Sequence, residues 1–175
     1  MDKLKITSGK YRGISITTPG NGTHPMGARE RIALFNMVND YLKDASILDA
    51  FSGSGALGIE ALSRGAVKVT FIEKNAKACQ IIKINLAKIG LKEDDNINVI
   101  KSDVYETDCG LFDLVIADPP YNEYDATKIQ ILAKMVAKDG ILILSHPGDV
   151  PQIAGMELTK THQYAGAHLS IFSKG

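Results

Sequence analysis

Ile47-Leu48-Asp49-Ala50-Phe51-Ser52-Gly53-Ser54-Gly55-Ala56-Leu57-Gly58-Ile59-Glu60-Ala61-Leu62 is the stretch on which the reading of this chain turns. It opens apolar, passes through a loop of glycine and serine, and closes on good helix formers. That pattern reads as strand, tight turn, helix. Gly53, Gly55 and Gly58 stand at G-x-G-x-x-G spacing. A glycine-rich turn between a strand and a helix lets the backbone approach a ligand closely and aims free N–H groups at it. No Gly-Lys-Ser/Thr sequence follows, so the loop is not a triphosphate-binding P-loop. The spacing by itself leaves open whether the ligand is a nicotinamide dinucleotide or another nucleoside.

Strands and helices alternate on both sides of this stretch. Upstream, Leu4, Ile6, Ile14 and Ile16 alternate with polar residues around Ser8-Gly9-Lys10-Tyr11-Arg12-Gly13, a pattern for a β-hairpin over residues 3–18 with a basic tip. Residues 19–25, Pro-Gly-Asn-Gly-Thr-His-Pro, read as a loop that is free to move without a ligand. From Met26 to about Leu42, Ile32, Leu34, Phe35, Val38 and Leu42 form a helical apolar stripe. Downstream, strands are expected at Ser46–Ala50, Val67–Glu73, Asn96–Lys101, Phe112–Asp118 and Gly140–Ser145. Helices are expected over residues 56–64, Asn75–Ile89 and Ala126–Ala137, and residues 156–173 read as two more strands with a turn near Gly166. This alternation predicts an α/β fold, a mostly parallel sheet with helices on both faces. Ligands in such sheets sit beyond the carboxyl ends of the strands. The loop at 19–25 is the one candidate boundary, dividing a hairpin segment at 1–25 from a main domain at 26–175.

A chain of 175 residues with 45% apolar and 23% charged residues has enough material for a real core. Its formal net charge is zero, but the charge is unevenly spread. Residues 1–31 carry six basic side chains, Lys3, Lys5, Lys10, Arg12, Arg29 and Arg31, against Asp2 and Glu30. A basic N-terminal arm on a mildly acidic body is compatible with nucleic-acid contact, and equally with a solvated surface. Cys79 and Cys109 form no C-x-x-C pair, so no zinc or redox motif is present and no metal is expected. Two isolated cysteines fit a reducing cytoplasm. The polar, charged start argues against a signal peptide, and no apolar run reaches membrane-spanning length.

Four acids fall at expected strand ends: Asp49, Glu73, Asp103 and Asp118. Each alone could be a surface acid or a helix cap; together they share one rim. Glu73 lies 20 residues after Gly53, where a carboxylate can accept both hydroxyls of a ribose. Asp103 can accept from an adenine amino group, and Asp49 can hold the loop or meet a positive ligand group. Asp118-Pro119-Pro120-Tyr121 follows a fully apolar strand. The two prolines fix an extended turn and remove two N–H donors, leaving the Pro119 carbonyl as an acceptor. Two acceptors, Asp118 and that carbonyl, beside the ring of Tyr121 suit a planar base bearing an exocyclic amino group.

On these residues the chain resembles a known family. Asp49 to Gly58 looks like the cofactor loop of S-adenosylmethionine-dependent methyltransferases, and Asp118-Pro119-Pro120-Tyr121 like their amino-methylating motif. More narrowly, Ile6-Thr7-Ser8-Gly9-Lys10-Tyr11-Arg12-Gly13, Arg29 with Leu34-Phe35-Asn36, Phe51 to Ala66, and Tyr164 to Phe172 resemble the RsmD family, which methylates N2 of a guanine in bacterial 16S ribosomal RNA. Where that family usually shows Arg-Pro-Thr this chain has His24-Pro25-Met26; Ile32 replaces a Glu, and Ser145-His146-Pro147 an often acidic segment.

The resemblance implies a Rossmann-like seven-stranded, mostly parallel sheet with a small N-terminal hairpin. It implies S-adenosylmethionine as cofactor, held by Asp49, Phe51, Gly53, Ser54, Gly55, Glu73, Lys74, Asp103 and Val104. Asp118, Pro119 and Tyr121 would receive the base, and Lys10, Arg12, Arg29 and Arg31 the phosphates. The implied partner is ribosomal RNA, within a small-subunit particle, met by a cytoplasmic monomer. Three other readings stay open. An NAD-dependent oxidoreductase leaves Asp118-Pro119-Pro120-Tyr121 unexplained. An amino-methyltransferase on another RNA or DNA base fits the same motif. A non-catalytic RNA-binding relative fits the departures at His24 and Ile32.

Overall fold

The computed structural model describes residues 3–20, 26–164 and 167–175. Residues 21–25, with His24 and Pro25, and the expected turn at Gly166 lie outside them. Two short strands, β1 (Lys3–Lys5) and β2 (Ser15–Thr17), pair antiparallel with Leu4 opposite Ile16, as the alternation predicts. The main sheet has seven strands: β3 (Ser46–Asp49), β4 (Lys68–Glu73), β5 (Ile97–Lys101), β6 (Phe112–Ala117), β7 (Val136–His146), β8 (Glu157–Tyr164) and β9 (Ala167–Ser173). Their order across the sheet is β5-β4-β3-β6-β7-β9-β8. β3 to β7 run parallel, and β9 lies antiparallel between β7 and β8. β3 therefore has β4 on one side and β6 on the other, the switch point where ligands bind in such sheets.

The alternation of side chains along the strands builds two cores. Ile47, Val69, Phe71, Ile116, Ile143 and Ile171 face the helices α1 (Ala28–Met37), α2 (Ala56–Ser63) and α3 (Ala76–Lys88). Leu48, Ile72, Val115, Leu142 and Phe172 face the opposite layer. That second layer is not α-helical among the described residues. The helix expected at Ala126–Ala137 is a 3-10 segment, Lys128–Met135, which buries Ile129, Leu132 and Met135. β7 correspondingly starts at Val136 rather than Gly140, with Asp139 at φ 60 and a register shift opposite Phe112 and Leu114. The first helix is also shorter than expected. It ends at Met37, Val38 leaves helical geometry at φ −120, and Asn39–Tyr41 form a 3-10 turn. Val38 and Leu42 remain buried, so the apolar stripe continues although the helix does not.

The hairpin forms its own sheet but shares the core, with Ile6, Tyr11 and Ile16 packed among the helices. The fully buried Glu60 of α2 anchors it. Its carboxylate accepts from Thr7 N at 2.8 Å, Thr7 Oγ1 at 2.5 Å, Ser8 N at 3.0 Å and Arg64 Nε at 3.0 Å. A buried carboxylate is tolerated when its lone pairs are taken in this way. Lys10 N donates to Ser63 O at 2.7 Å, and Tyr11 N to Ser63 Oγ at 2.9 Å. Gly9 sits at φ +79, and a Cβ there would lie 1.8 Å from Ser63 O. Only glycine permits both that conformation and that approach.

Candidate active site

The carboxyl ends of β3, β4, β6 and β7 meet at one rim. Asp49, Asp118 and Ser145 each stand two residues beyond a core isoleucine (Ile47, Ile116, Ile143), which places them on the helix-bearing face. Asp49 is buried and accepts from Gly58 N, in the first turn of α2, at 2.9 Å. Burial pushes its carboxyl up to about 7; the Gly58 N–H opposes this, and the charges of Asp118 and Glu73 add to it.

The glycine loop is held from several directions. Gly53 N donates to Glu73 Oε2 at 2.8 Å, and Asn75 N donates to the other oxygen at 2.8 Å. Gly53 and Gly55 have φ of +52 and +77. A Cβ on Gly53 would meet nothing within 4 Å, so the loop's tip faces open space. Gly58 has a different role: a Cβ there would lie 2.2 Å from the Phe71 ring, so it sets the spacing of α2 on β4. The buried Ser54 accepts through its carbonyl from Asn85 Nδ2 at 2.9 Å. Asn85, fully buried on α3, also donates to Thr17 O and accepts from Thr17 N, both at 2.8 Å.

Beside the loop, Phe51 meets Tyr105 edge-on with ring centroids 5.7 Å apart. The exposed Asp103 caps the short turn Val104–Glu106 by accepting from Tyr105 N at 2.9 Å, and Val104 is buried beneath it. Lys74 forms an ion pair with Glu123, which joins the loop after β4 to the loop after β6.

That second loop carries Asp118-Pro119-Pro120-Tyr121. Pro119 is buried, and Pro120 leads into a 3-10 turn at Tyr121–Glu123. The Asp118 carboxyl is raised by burial and lowered by a hydrogen bond from the Ser145 side chain. Tyr121 is 44% exposed, and its Oη lies 3.2 Å from Ser145 Oγ.

The basic residues do not gather at this rim. Arg29 is exposed in the first turn of α1. Lys10 and Arg12 belong to the hairpin tip, which docks on the C-terminal end of α2. That end is about 12 Å from the glycine loop, the length of an eight-residue helix. Arg31 departs from its expected role as a phosphate contact. It is only 2% exposed, and its guanidinium donates to Met26 O and Lys5 O, each at 2.9 Å. It ties α1 to β1. Glu60, Asn85 and Ser145 are not among the site residues expected from the sequence, although Glu60 lies in the Phe51 to Ala66 stretch and Ser145 in the segment Ser145-His146-Pro147. The signal for the first two is a polar side chain on the buried face of a helix.

A family model described as "Conserved hypothetical protein 95" matches residues 4–173. The Bacillus subtilis protein "Putative rRNA methyltransferase YlbH" is 30% identical over 98% of this chain and 99% of its own length. The Haemophilus influenzae and Escherichia coli proteins named "Ribosomal RNA small subunit methyltransferase D" are 35% and 36% identical over 69% and 68% of this chain. Those two matches cover 65% and 61% of the relatives' own lengths. The chain belongs to the RsmD family of rRNA methyltransferases. The solved Escherichia coli structure "Putative methyltransferase yhhF" is 27% identical, covers 99% of this chain and 98% of its own, and superposes with a TM-score of 0.87.

S-adenosylmethionine is the cofactor that goes with the RsmD family, and the residues present suit it. The open face at Gly53, the carboxylate of Glu73 and the Phe51–Tyr105 aromatic pair lie around one loop. They offer a close backbone approach, an acceptor for ribose hydroxyls, and an apolar flank for a purine.

Proposed function

We propose that this RsmD-family chain transfers a methyl group to the exocyclic N2 amine of a guanine in small-subunit ribosomal RNA. The observation that carries the reading is the pairing of a partly buried acceptor, Asp118, with an exposed aromatic ring, Tyr121, one strand away from the glycine loop. When bound, S-adenosylmethionine supplies an electrophilic methyl group on a sulfonium.

The amine of guanine is a poor nucleophile because its lone pair is delocalised into the ring. Asp118 and the Pro119 carbonyl accept its two N–H hydrogens, which localises the lone pair and offsets the positive charge that grows during transfer. Orientation in line with the methyl group supplies much of the remaining acceleration. After transfer the nitrogen is acidic and gives its proton to Asp118. Tyr121 stacks on the extruded base. Asp49, Phe51, Gly53, Ser54, Gly55, Glu73, Lys74, Asp103 and Val104 form the cofactor side. Arg29 in the first turn of α1, and Lys10 and Arg12 at the far end of α2, hold phosphates of the RNA, contacts that position without reading sequence. The proposed substrate is ribosomal RNA within a small-subunit particle.

The test is tritium transfer from labelled S-adenosylmethionine to small subunits from cells lacking this protein, followed by nucleoside analysis. The expected label is N2-methylguanosine. Label in another nucleoside overturns the target, and no label with cofactor still bound overturns the enzymatic reading.

A further inference from the structure

Asp118 and Ser145 are adjacent at the ends of neighbouring strands. Ala117 pairs with Leu144 in the parallel β6–β7 ladder, so the next residue on each strand stands side by side. Ser145 is only 3% exposed. Its hydroxyl has one proton to give. Asp118 in its charged form can only accept, so the interaction that opposes its burial is donated by the Ser145 hydroxyl. The 3.2 Å contact to Tyr121 Oη is then made by the phenol, which donates to Ser145 Oγ. The direction of the chain is Tyr121 to Ser145 to Asp118. The two ends of this chain are the acceptor and the stacking ring of the base receptor, and Ser145 stands beside one and contacts the other.

We propose that Ser145 is a positioning residue that sets the base receptor as one unit, fixing the orientation of the Asp118 carboxylate and tethering the Tyr121 ring by its hydroxyl. The tether leaves the ring faces free, consistent with the 44% exposure of Tyr121. The same chain gives the proton released by the methylated amine a way out. Asp118 takes the proton as the N–H bond breaks and, now neutral, donates to Ser145 Oγ; the Ser145 hydroxyl turns toward Tyr121 Oη and the phenol toward solvent, and one proton then shifts along each contact so that Tyr121 releases a proton to solvent. No charge is left behind, and the shift itself returns the chain to the direction Tyr121 to Ser145 to Asp118.

The proposal rests on the reading of Asp118 as the acceptor of the target amine. Ser145 takes no part in the cofactor loop, so its effects belong to base reception alone. The other titratable groups on the surrounding elements are Asp49 on β3, Glu73 on β4, Lys74 and Glu123 in their ion pair, Tyr121 and Tyr124 after β6, His146 on β7 and His168 on β9. Apart from Tyr121, which contacts Ser145 and is itself replaced in Tyr121→Phe, these groups are the same in all the variants compared.

The test compares wild type with Ser145→Ala, Ser145→Thr and Tyr121→Phe. The Asp118 carboxyl is titrated by carbon-13 NMR on the free enzyme, assigned with Asp118→Asn, and the pH profile of kcat is measured on small subunits. Removing the Ser145 donor withdraws a hydrogen bond that favours the charged carboxylate. The titration and the acid limb of kcat are therefore expected to move up by about one pH unit in Ser145→Ala. Below that limb kcat is expected to fall on the order of ten-fold. Threonine keeps the hydroxyl and restores both. Tyr121→Phe cuts only the tether, so KM rises while the carboxyl titration stays where it is.

An unmoved titration in Ser145→Ala, or a threonine variant no better than alanine, overturns the proposal. So does a Tyr121→Phe shift equal to that of Ser145→Ala. The titration needs no RNA. It scores Ser145 even if wild type fails to methylate guanine, in which case the functional reading falls separately.

Discussion

At the scale of single residues, Asp49 carries the clearest consequence of burial. Its carboxyl is held up to about 7, far above an unfolded aspartate near 4. The folded chain therefore keeps this proton through a range in which the unfolded chain has lost it. This contribution is fully present at acid pH and is lost as the pH rises from about 4 to about 7. Asp49→Asn, which keeps an acceptor for Gly58 N, is expected to flatten the fall of the urea midpoint across that window. Glu73 is a different case. Its oxygens hold Gly53 N and Asn75 N, so it shapes the loop before it meets a ribose. Glu73→Ala is expected to weaken cofactor binding by more than ten-fold in calorimetry, a loss of over ~1.4 kcal/mol. For Tyr121→Ala the loss should fall on RNA engagement instead, by the roughly 1–3 kcal/mol of one base–aromatic stack. Arg31 shows the limit of reading residues singly. In the sequence an arginine beside Arg29 looks like a second phosphate contact. Only the packed structure reveals a side chain turned inward onto two carbonyls.

At the scale of elements, the N-terminal hairpin changes meaning once its contacts are known. Ser8-Gly9-Lys10-Tyr11 reads in sequence as a basic turn. In the fold it is a docking surface: Thr7 and Ser8 meet Glu60, Gly9 passes against Ser63, and Tyr11 is buried. Gly9→Ala meets both a clash and a positive φ, and is expected to cost more than ~2 kcal/mol in denaturant unfolding. Gly13→Ala shares the positive φ but meets nothing within 4 Å, and should cost less. The strands were legible because their apolar runs are unbroken, and β3, β4, β5 and β6 fall within a residue or two of expectation. The helices were less so. Val38 and Leu42 continue the stripe of α1 beyond its end, because they flank an exposed 3-10 turn and both stay buried. Lys128–Met135 misleads in the same way, since burial spacing does not separate a 3-10 segment from a short α-helix.

At the scale of the molecule, parallel strands bring their carboxyl ends to one rim, and the acids at those ends were therefore legible as a set. Ser145 was not, because a serine at a strand end carries no signal until its partners are placed. Charge is distributed over a longer distance than the site. Lys10 and Arg12 lie at the opposite end of α2 from the glycine loop, so an RNA that touches both spans about 12 Å, roughly three to four nucleotides of a helix. Lys10→Ala with Arg12→Ala is expected to weaken particle binding. The slope of log K against log salt should shrink by roughly 0.7–0.9 for each phosphate that the variant no longer neutralises.

The central claim is that Asp118 serves the base and not the cofactor. It is tested most directly by one paired measurement on Asp118→Ala: cofactor affinity by calorimetry, and single-turnover methyl transfer to small subunits. The expected result is near wild-type affinity with no transfer. Wild-type turnover in the variant, or loss of cofactor binding in step with activity, would contradict the account.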